Sequence, residues 1–211
     1  MTTGEDTTKR GMAPSGPVDW DASAAGFDQE PDHGLRDPAV REAWAARLRD
    51  WLPDRPCELL DLGCGTGSMS LLATDHGHSV TAVDLSPAMV DLARAKLAGR
   101  PAEVLVGDAS APPVGGRTFD VVLVRHVAWT LPDLDGALAH WLALLRPGGR
   151  LVLVEGVWGT LSRVGLPAAR LTGALAPLVA DVRHESLTGD ALLWGRAVED
   201  DRYAVVATVR G

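Results

Sequence analysis

The stretch Cys57-Glu58-Leu59-Leu60-Asp61-Leu62-Gly63-Cys64-Gly65-Thr66-Gly67 constrains the fold more than any other part of the chain. An apolar run ending in alternating glycines reads as a buried strand that breaks into a tight turn and then a helix, because such a turn needs residues without a Cβ. Asp84 follows Gly65 by 19 residues and ends a second apolar run, Ser79-Val80-Thr81-Ala82-Val83. Strand, glycine turn, helix, strand and terminal acid together describe a nucleoside-cofactor site at the carboxyl edge of a parallel sheet.

The same alternation continues along the chain. Strand one is expected over 57–62 with its helix over 67–76, and strand two over 79–84. Pro87 opens the next helix at its first position, capped by Ser86, with Met89, Leu92, Ala93 and Leu97 as the apolar stripe. Strands three and four are read at 103–106 and 119–124, a helix at 134–145 stopped by Pro147-Gly148-Gly149, and strand five at 150–155. Continuous apolar strands separated by helices predict an α/β sheet covered on both faces. Ahead of this core, Asp37 and Pro38 start a helix whose Trp44 and Trp51 face inward, whereas Trp20 to His33 reads as irregular. Behind it, residues 161–180 read as one or two helices interrupted by Pro167 and Gly173. Residues 182–187 and 203–209 then read as an antiparallel pair. The expected organisation is a disordered tail over 1–19 and one domain over 20–211. Within that domain, 20–56 form an N-terminal lid and helix, 57–155 the core, and 156–211 the completion of the sheet.

With 211 residues, 46% of them hydrophobic, the chain suits one domain with a sizeable core. No run reaches the roughly 20 apolar residues of a membrane helix, and no charged start precedes an apolar segment. A cytoplasmic protein without a membrane partner is therefore expected. A net charge of −8 argues against nucleic acid as the main partner. Cys57 and Cys64 have neither disulfide nor metal spacing, and His76, His78, His140 and His184 are scattered, so no metal is expected.

The glycine spacing departs from a dinucleotide fingerprint. Counted from Gly63 the third small position is Ser68, and counted from Gly65 it is Ser70. Asp61 also stands at the mouth of strand one, where a pyrophosphate would be repelled. S-adenosylmethionine carries an ammonium and a sulfonium and no phosphate, so the sign of Asp61 selects that cofactor.

These motifs, in order, resemble those of the class I S-adenosylmethionine-dependent methyltransferases, especially the small-molecule group known as methyltransferase type 11. Leu60 to Gly67 is similar to their glycine motif and Val83 to Met89 to the second motif. Gly107-Asp108-Ala109 is similar to the adenine-side acid, Phe119 to Val122 to the fourth strand, and Leu145 to Leu151 to the approach to the fifth. The resemblance implies a Rossmann-like, seven-stranded, mostly parallel sheet with strand order 3-2-1-4-5-7-6. It implies methyl transfer from S-adenosylmethionine to an O, N or C atom of a small organic acceptor. An NAD-dependent oxidoreductase and a non-catalytic cofactor binder are the competing classes, and the oligomeric state stays open.

Carried over by residue, the resemblance implies that Gly63, Gly65 and Gly67 line the methionine part with Asp61 behind them. Asp84 would accept both ribose hydroxyls, Leu85 and Met89 would touch the adenine, and Asp108 with Ala109 would meet its amine. Arg125 and His126 would stand where donor and acceptor meet. His126 is either a general base or a pocket contact, and His33, in a lid-like segment with Phe27, is a base, a substrate contact or a surface residue. Arg36 either reaches the methionine carboxylate or stays exposed. Trp129 and Trp158 either line the acceptor pocket or simply pack. Cys64 is a small filler of the loop, with no base beside it to make it a nucleophile.

Overall fold

The computed structural model describes residues 19–159 and 163–211. Three helices come first: α1 (Trp20–Phe27), α2 (Pro31–Gly34) and α3 (Pro38–Trp51). The core alternates β1 (Glu58–Leu62), α4 (Ser68–Asp75), β2 (Ser79–Asp84), α5 (Pro87–Lys96), β3 (Ala102–Val106), β4 (Phe119–Arg125), α6 (Leu134–Ala143) and β5 (Leu145–Trp158). The chain ends with β6 (Val164–Gly165), α7 (Ala168–Leu175), β7 (Asp181–Ser186), α8 (Ala191–Trp194) and β8 (Asp201–Thr208).

The strands form one sheet in the order β3-β2-β1-β4-β5-β8-β7, with β6 pairing beside β5. Strands β1 to β5 run parallel, and β8 and β7 add antiparallel ladders. Apart from the two-residue β6, this is the expected order 3-2-1-4-5-7-6 under the numbering of eight strands.

Alternation along β1 shows how one sheet makes two cores. Leu59 joins Val121, Val152, Trp44, Trp51, Leu72 and Ala93 on the face covered by α3, α4, α5 and α8. Its neighbour Leu60 joins Val122, Leu151, Leu138, Trp141 and Leu171 on the face covered by α6 and α7. Period-two side-chain geometry sends adjacent residues to opposite faces. Each fully buried leucine or valine contributes about 1.5–3 kcal/mol, so both faces must be covered.

Two expectations change. Trp20 to His33 holds two short helices joined by a turn over 28–30, and is not irregular. Asp19 caps α1 by accepting from Ala22 N at 3.0 Å, and Pro31 starts α2. The short α1 depends on tertiary contacts: the Asp21 carboxylate accepts from Ser86 Oγ and, at 3.1 Å, from Ala88 N at the start of α5. In the C-terminal region Gly173 lies inside α7, which begins only after Pro167. The expected tail over 1–19 falls outside the described residues except for Asp19, as do residues 161 and 162 of the expected helical stretch.

Candidate active site

The glycine turn has the geometry its sequence requires. Gly63 and Gly67 have φ of +69° and +80°, a region L side chains seldom occupy. They differ in purpose. A Cβ on Gly63 would fall 2.1 Å from Val127 Cγ2, so the loop and the β4 turn are in close contact. A Cβ on Gly67 would meet Ala93 Cβ at 3.1 Å and Leu97 Cδ1 at 3.3 Å. Gly67 thus lets α4 approach α5, and it is not in the cavity wall.

A cavity of about 470 Å³ opens above the carboxyl ends of the strands. Its wall includes Asp61, Gly63, Gly65, Asp84, Leu85, Met89, Asp108 and Ala109 on one side. On the other are Phe27, His33, Arg125, His126, Trp129 and Trp158. Arg36 is exposed and lies outside this wall.

Three carboxylates follow the strand order. Asp61, one residue before the end of β1, is 2% exposed and accepts from Ser70 Oγ at 2.6 Å; burial raises its pKa to about 6. Asp84 ends β2 and accepts from Gly65 N at 2.8 Å and Ser86 N at 2.9 Å. Burial raises the pKa of Asp84 as well, against those two donors. Asp108, after β3, accepts from Ser110 N and Oγ, both at 2.8 Å. Leu85 is 64% exposed beside this wall, an apolar surface available to a flat ligand.

The opposite side is built around His126. Its φ of +59° is rare for a residue with a Cβ, and several bonds hold it there. His126 N donates to Val154 O at 2.9 Å, and its carbonyl accepts from Trp129 Nε1 at 3.0 Å. The next two amides, Val127 N and Ala128 N, donate to Glu155 Oε1 at 2.9 and 2.7 Å. Glu155 is fully buried, and burial pushes its carboxyl up to about 8.

The two histidine candidates come together from distant parts of the chain. Their ring centroids lie 6.3 Å apart. His33 stacks on Phe27 at 4.3 Å, and His126 packs edge-on to Trp158 at 5.2 Å. Burial, with Arg125 nearby, lowers His33 to about 4 and holds His126 well below the usual imidazole value. Both rings are therefore neutral at pH 7, and Nδ1 of His33 and Nε2 of His126 have no partner among the described residues. Neutral imidazoles with unoccupied nitrogens are able to accept a proton. Asp32, His33 and His126 also bring one ligand-type atom each within 4.8 Å of one another. Arg125 Nη2 already holds Asp32 Oδ2 at 2.8 Å, which places a positive charge against any cation entering there.

Several wall residues escaped the sequence reading. Asp32, Trp20, Arg196 and Arg202 had no motif around them. Glu155, beneath the wall, did have a signal, because it ends an apolar strand as Asp84 does. Trp44 and Trp51 are fully buried in the core, as their helical spacing indicates.

Comparison with known proteins agrees with this geometry. Residues 60–153 match the methyltransferase domain family. Malonyl-[acyl-carrier protein] O-methyltransferase of Serratia marcescens is 34% identical over 142 residues, 62% of this chain and 55% of that protein. Demethylmenaquinone methyltransferase of Thermus thermophilus is 35% identical over 132 residues, 57% of this chain and 60% of that protein. The chain spans about half the length of the curated relatives it matches. Among solved structures, the N-methyltransferase NodS of Bradyrhizobium japonicum, in complex with S-adenosyl-L-homocysteine, superposes with a TM-score of 0.70 at 20% identity. That match covers 92% of this chain and all of NodS. The fold is that of class I methyltransferases, and the ordered motifs of residues 60–153 are similar to those of the methyltransferase domain family.

Proposed function

We propose that the protein transfers a methyl group from S-adenosylmethionine to a small organic acceptor, by SN2 displacement. The observation that carries the reading is the row Asp61, Asp84 and Asp108 beside the glycine turn, a negative wall for a nucleoside that is cationic and lacks phosphate. Bound there, the cofactor supplies a methyl group already activated by its positive sulfur.

The chain's own work is to bind and orient. Asp84 uses its remaining lone pairs for the ribose hydroxyls, since its two backbone donors occupy only part of its accepting capacity. Leu85 and Met89 pack on the adenine, and Asp108 with Ala109 meets its amine. Gly65 leaves room under the ring of Phe27, where a Cβ would come within 3.2 Å of Phe27 Cε1. Holding donor and acceptor in line supplies several kcal/mol of the barrier reduction. Where the acceptor is a hydroxyl, His126 or His33 takes its proton. Excluding water falls to α1 and α2, which lie over the cavity with Phe27 and His33.

Calorimetric titration with S-adenosylhomocysteine tests this reading, with NAD as the comparison ligand. Saturable binding of the first and none of the second is expected. Preference for NAD, or no binding of S-adenosylhomocysteine by folded protein, would overturn it.

A further inference from the structure

The charges around the cavity are sorted by the strand order. Asp108, Asp84 and Asp61 follow β3, β2 and β1, one half of the sheet. Arg125 ends β4 and Arg202 lies in β8 opposite Gly156 of β5, in the other half. Both guanidiniums line the cavity and both are fixed by aromatic faces. Arg125 lies 4.5 Å from the Trp44 ring centroid, and Arg202 lies 4.7 Å from that of Trp194 and 5.7 Å from that of Trp158.

Each arginine has one acid and retains unused donors. Asp32 takes Nη2 of Arg125, and Nε of Arg125 is buried without a partner among the described residues. Asp200, which is outside the cavity wall, takes Nε and Nη2 of Arg202 at 2.8 and 3.1 Å and leaves Nη1 unused there. Of the other acids of this half, Glu155 is held toward its neutral form by burial, and Glu30 at the wall lies 3.6 Å from Arg196. The charged neighbours that hold His126 in its neutral form are the guanidiniums of Arg125 and Arg202. At the wall of this half the guanidiniums of Arg125, Arg196 and Arg202 face the carboxylates of Asp32 and Glu30.

We infer that the acceptor is an organic acid whose carboxylate binds Arg202 Nη1, with its apolar body against the surface formed by Trp129 and Trp158. The inference rests on the methyltransferase reading, because it assigns the acidic half to the donor. Should the donor's own carboxylate engage Arg125, Arg202 still serves the acceptor. Charge-assisted bonds from a pre-oriented guanidinium are the strong kind, and a surface of two adjoining indoles favours an aromatic body. Trp129 and Trp158 stand with centroids 5.4 Å apart and a tilt of 59°.

The test is calorimetry with phenylacetate, indole-3-acetate and 4-hydroxybenzoate, each against its methyl ester, on protein saturated with S-adenosylhomocysteine. At least one acid should bind about tenfold or more tighter than its ester, the scale of a charge-assisted hydrogen bond. Arg202→Gln should abolish the difference, whereas Arg170→Gln, which breaks only a surface pair with Asp135, should keep it. Asp200→Asn frees the guanidinium and should tighten the acid, which keeps the test sound should Arg202→Gln fold poorly. Esters binding as well as the acids, or no acid binding, would overturn the inference. Failure of S-adenosylhomocysteine to bind instead removes the cofactor reading, and the same acid–ester pairs on the ligand-free protein still decide the anion site.

Discussion

Gly65 N donates to Asp84 Oδ2 at 2.8 Å, joining the first glycine turn to the end of the neighbouring strand. The acid assigned to the ribose therefore also sets the shape of the loop assigned to the methionine. Asp84→Asn should weaken S-adenosylhomocysteine binding by about 1.5–3 kcal/mol, through loss of charge-assisted bonds. Asparagine keeps an accepting oxygen for Gly65 N but loses the one for Ser86 N, so the melting temperature should fall modestly. Calorimetry beside a thermal melt checks both halves, and unchanged affinity would remove Asp84 from the ribose site.

Gly67 is expected to act through packing. Gly67→Ala forces a side chain into a φ of +80° and against Ala93. Destabilisation of about 1–3 kcal/mol should follow, the cost of such a backbone with a Cβ. Because Gly67 is not in the cavity wall, the variant's folded fraction should bind S-adenosylhomocysteine nearly as the wild type does. Denaturant unfolding and calorimetry at low temperature separate the two effects.

His33 makes stability sensitive to acid. Its folded pKa of about 4 lies below the ordinary 6.5, so the unfolded chain binds the proton first. As pH falls from about 6.5 toward 4, the folded state should lose stability, and the loss should level off below that window. His126 is shifted the same way and adds to the slope. His33→Gln should flatten part of the decline, as thermal melts at stepped pH would show; an unaltered slope would mean His33 is not buried as described.

Glu155 has the opposite sign. A carboxyl whose folded pKa is about 8, above the ordinary 4.5, favours folding in its protonated form. That contribution is complete below about pH 4.5 and is lost as pH rises through 8. Glu155→Gln keeps an acceptor for Val127 N and Ala128 N without the charge. It should melt at least as high as wild type at pH 8.5 and show a flatter decline between pH 5 and 8.5. Glu155→Leu removes the acceptor as well and should release the backbone of His126, visible as a lower melting temperature at every pH.

Lys96 ties the covering helices to the glycine loop. Its Nζ reaches Asp28 Oδ2 at 2.9 Å, Thr66 Oγ1 at 2.9 Å and Ser68 Oγ at 2.8 Å. Lys96→Met should loosen the link between the end of α1 and the glycine loop. Faster proteolysis around residues 28–31 and faster release of S-adenosylhomocysteine in stopped-flow measurements are the expected outcomes.

The alternation of strands and helices, a sheet covered on both faces and the acids Asp61 and Asp84 at strand ends were legible in the chain itself, whereas the strand order and Asp108 came from the family resemblance. The legible features rest on short-range patterns: an apolar run, the glycines that end it, and an acid at the next strand's carboxyl end. The helices within Trp20 to His33 were not legible, because α1 is short, contains Gly26, and gains its stability from Asp21 against Ser86 and Ala88, 65 and 67 residues away. Arg125 was expected at the end of strand four, and Arg36 either at the methionine carboxylate or exposed; the packing puts Arg125 at the wall and leaves Arg36 exposed.

What local sequence determines here is where the strands end and which carboxylates those ends present, because strand and turn conformations depend on near neighbours. Tertiary structure alone decided the other half of the site. Arg125 meets Asp32 across 93 residues, and Arg202 enters from the last strand beside Trp158 and Trp194. Charge balance, histidine ionisation and aromatic walls arise from such distant encounters, which no residue spacing encodes.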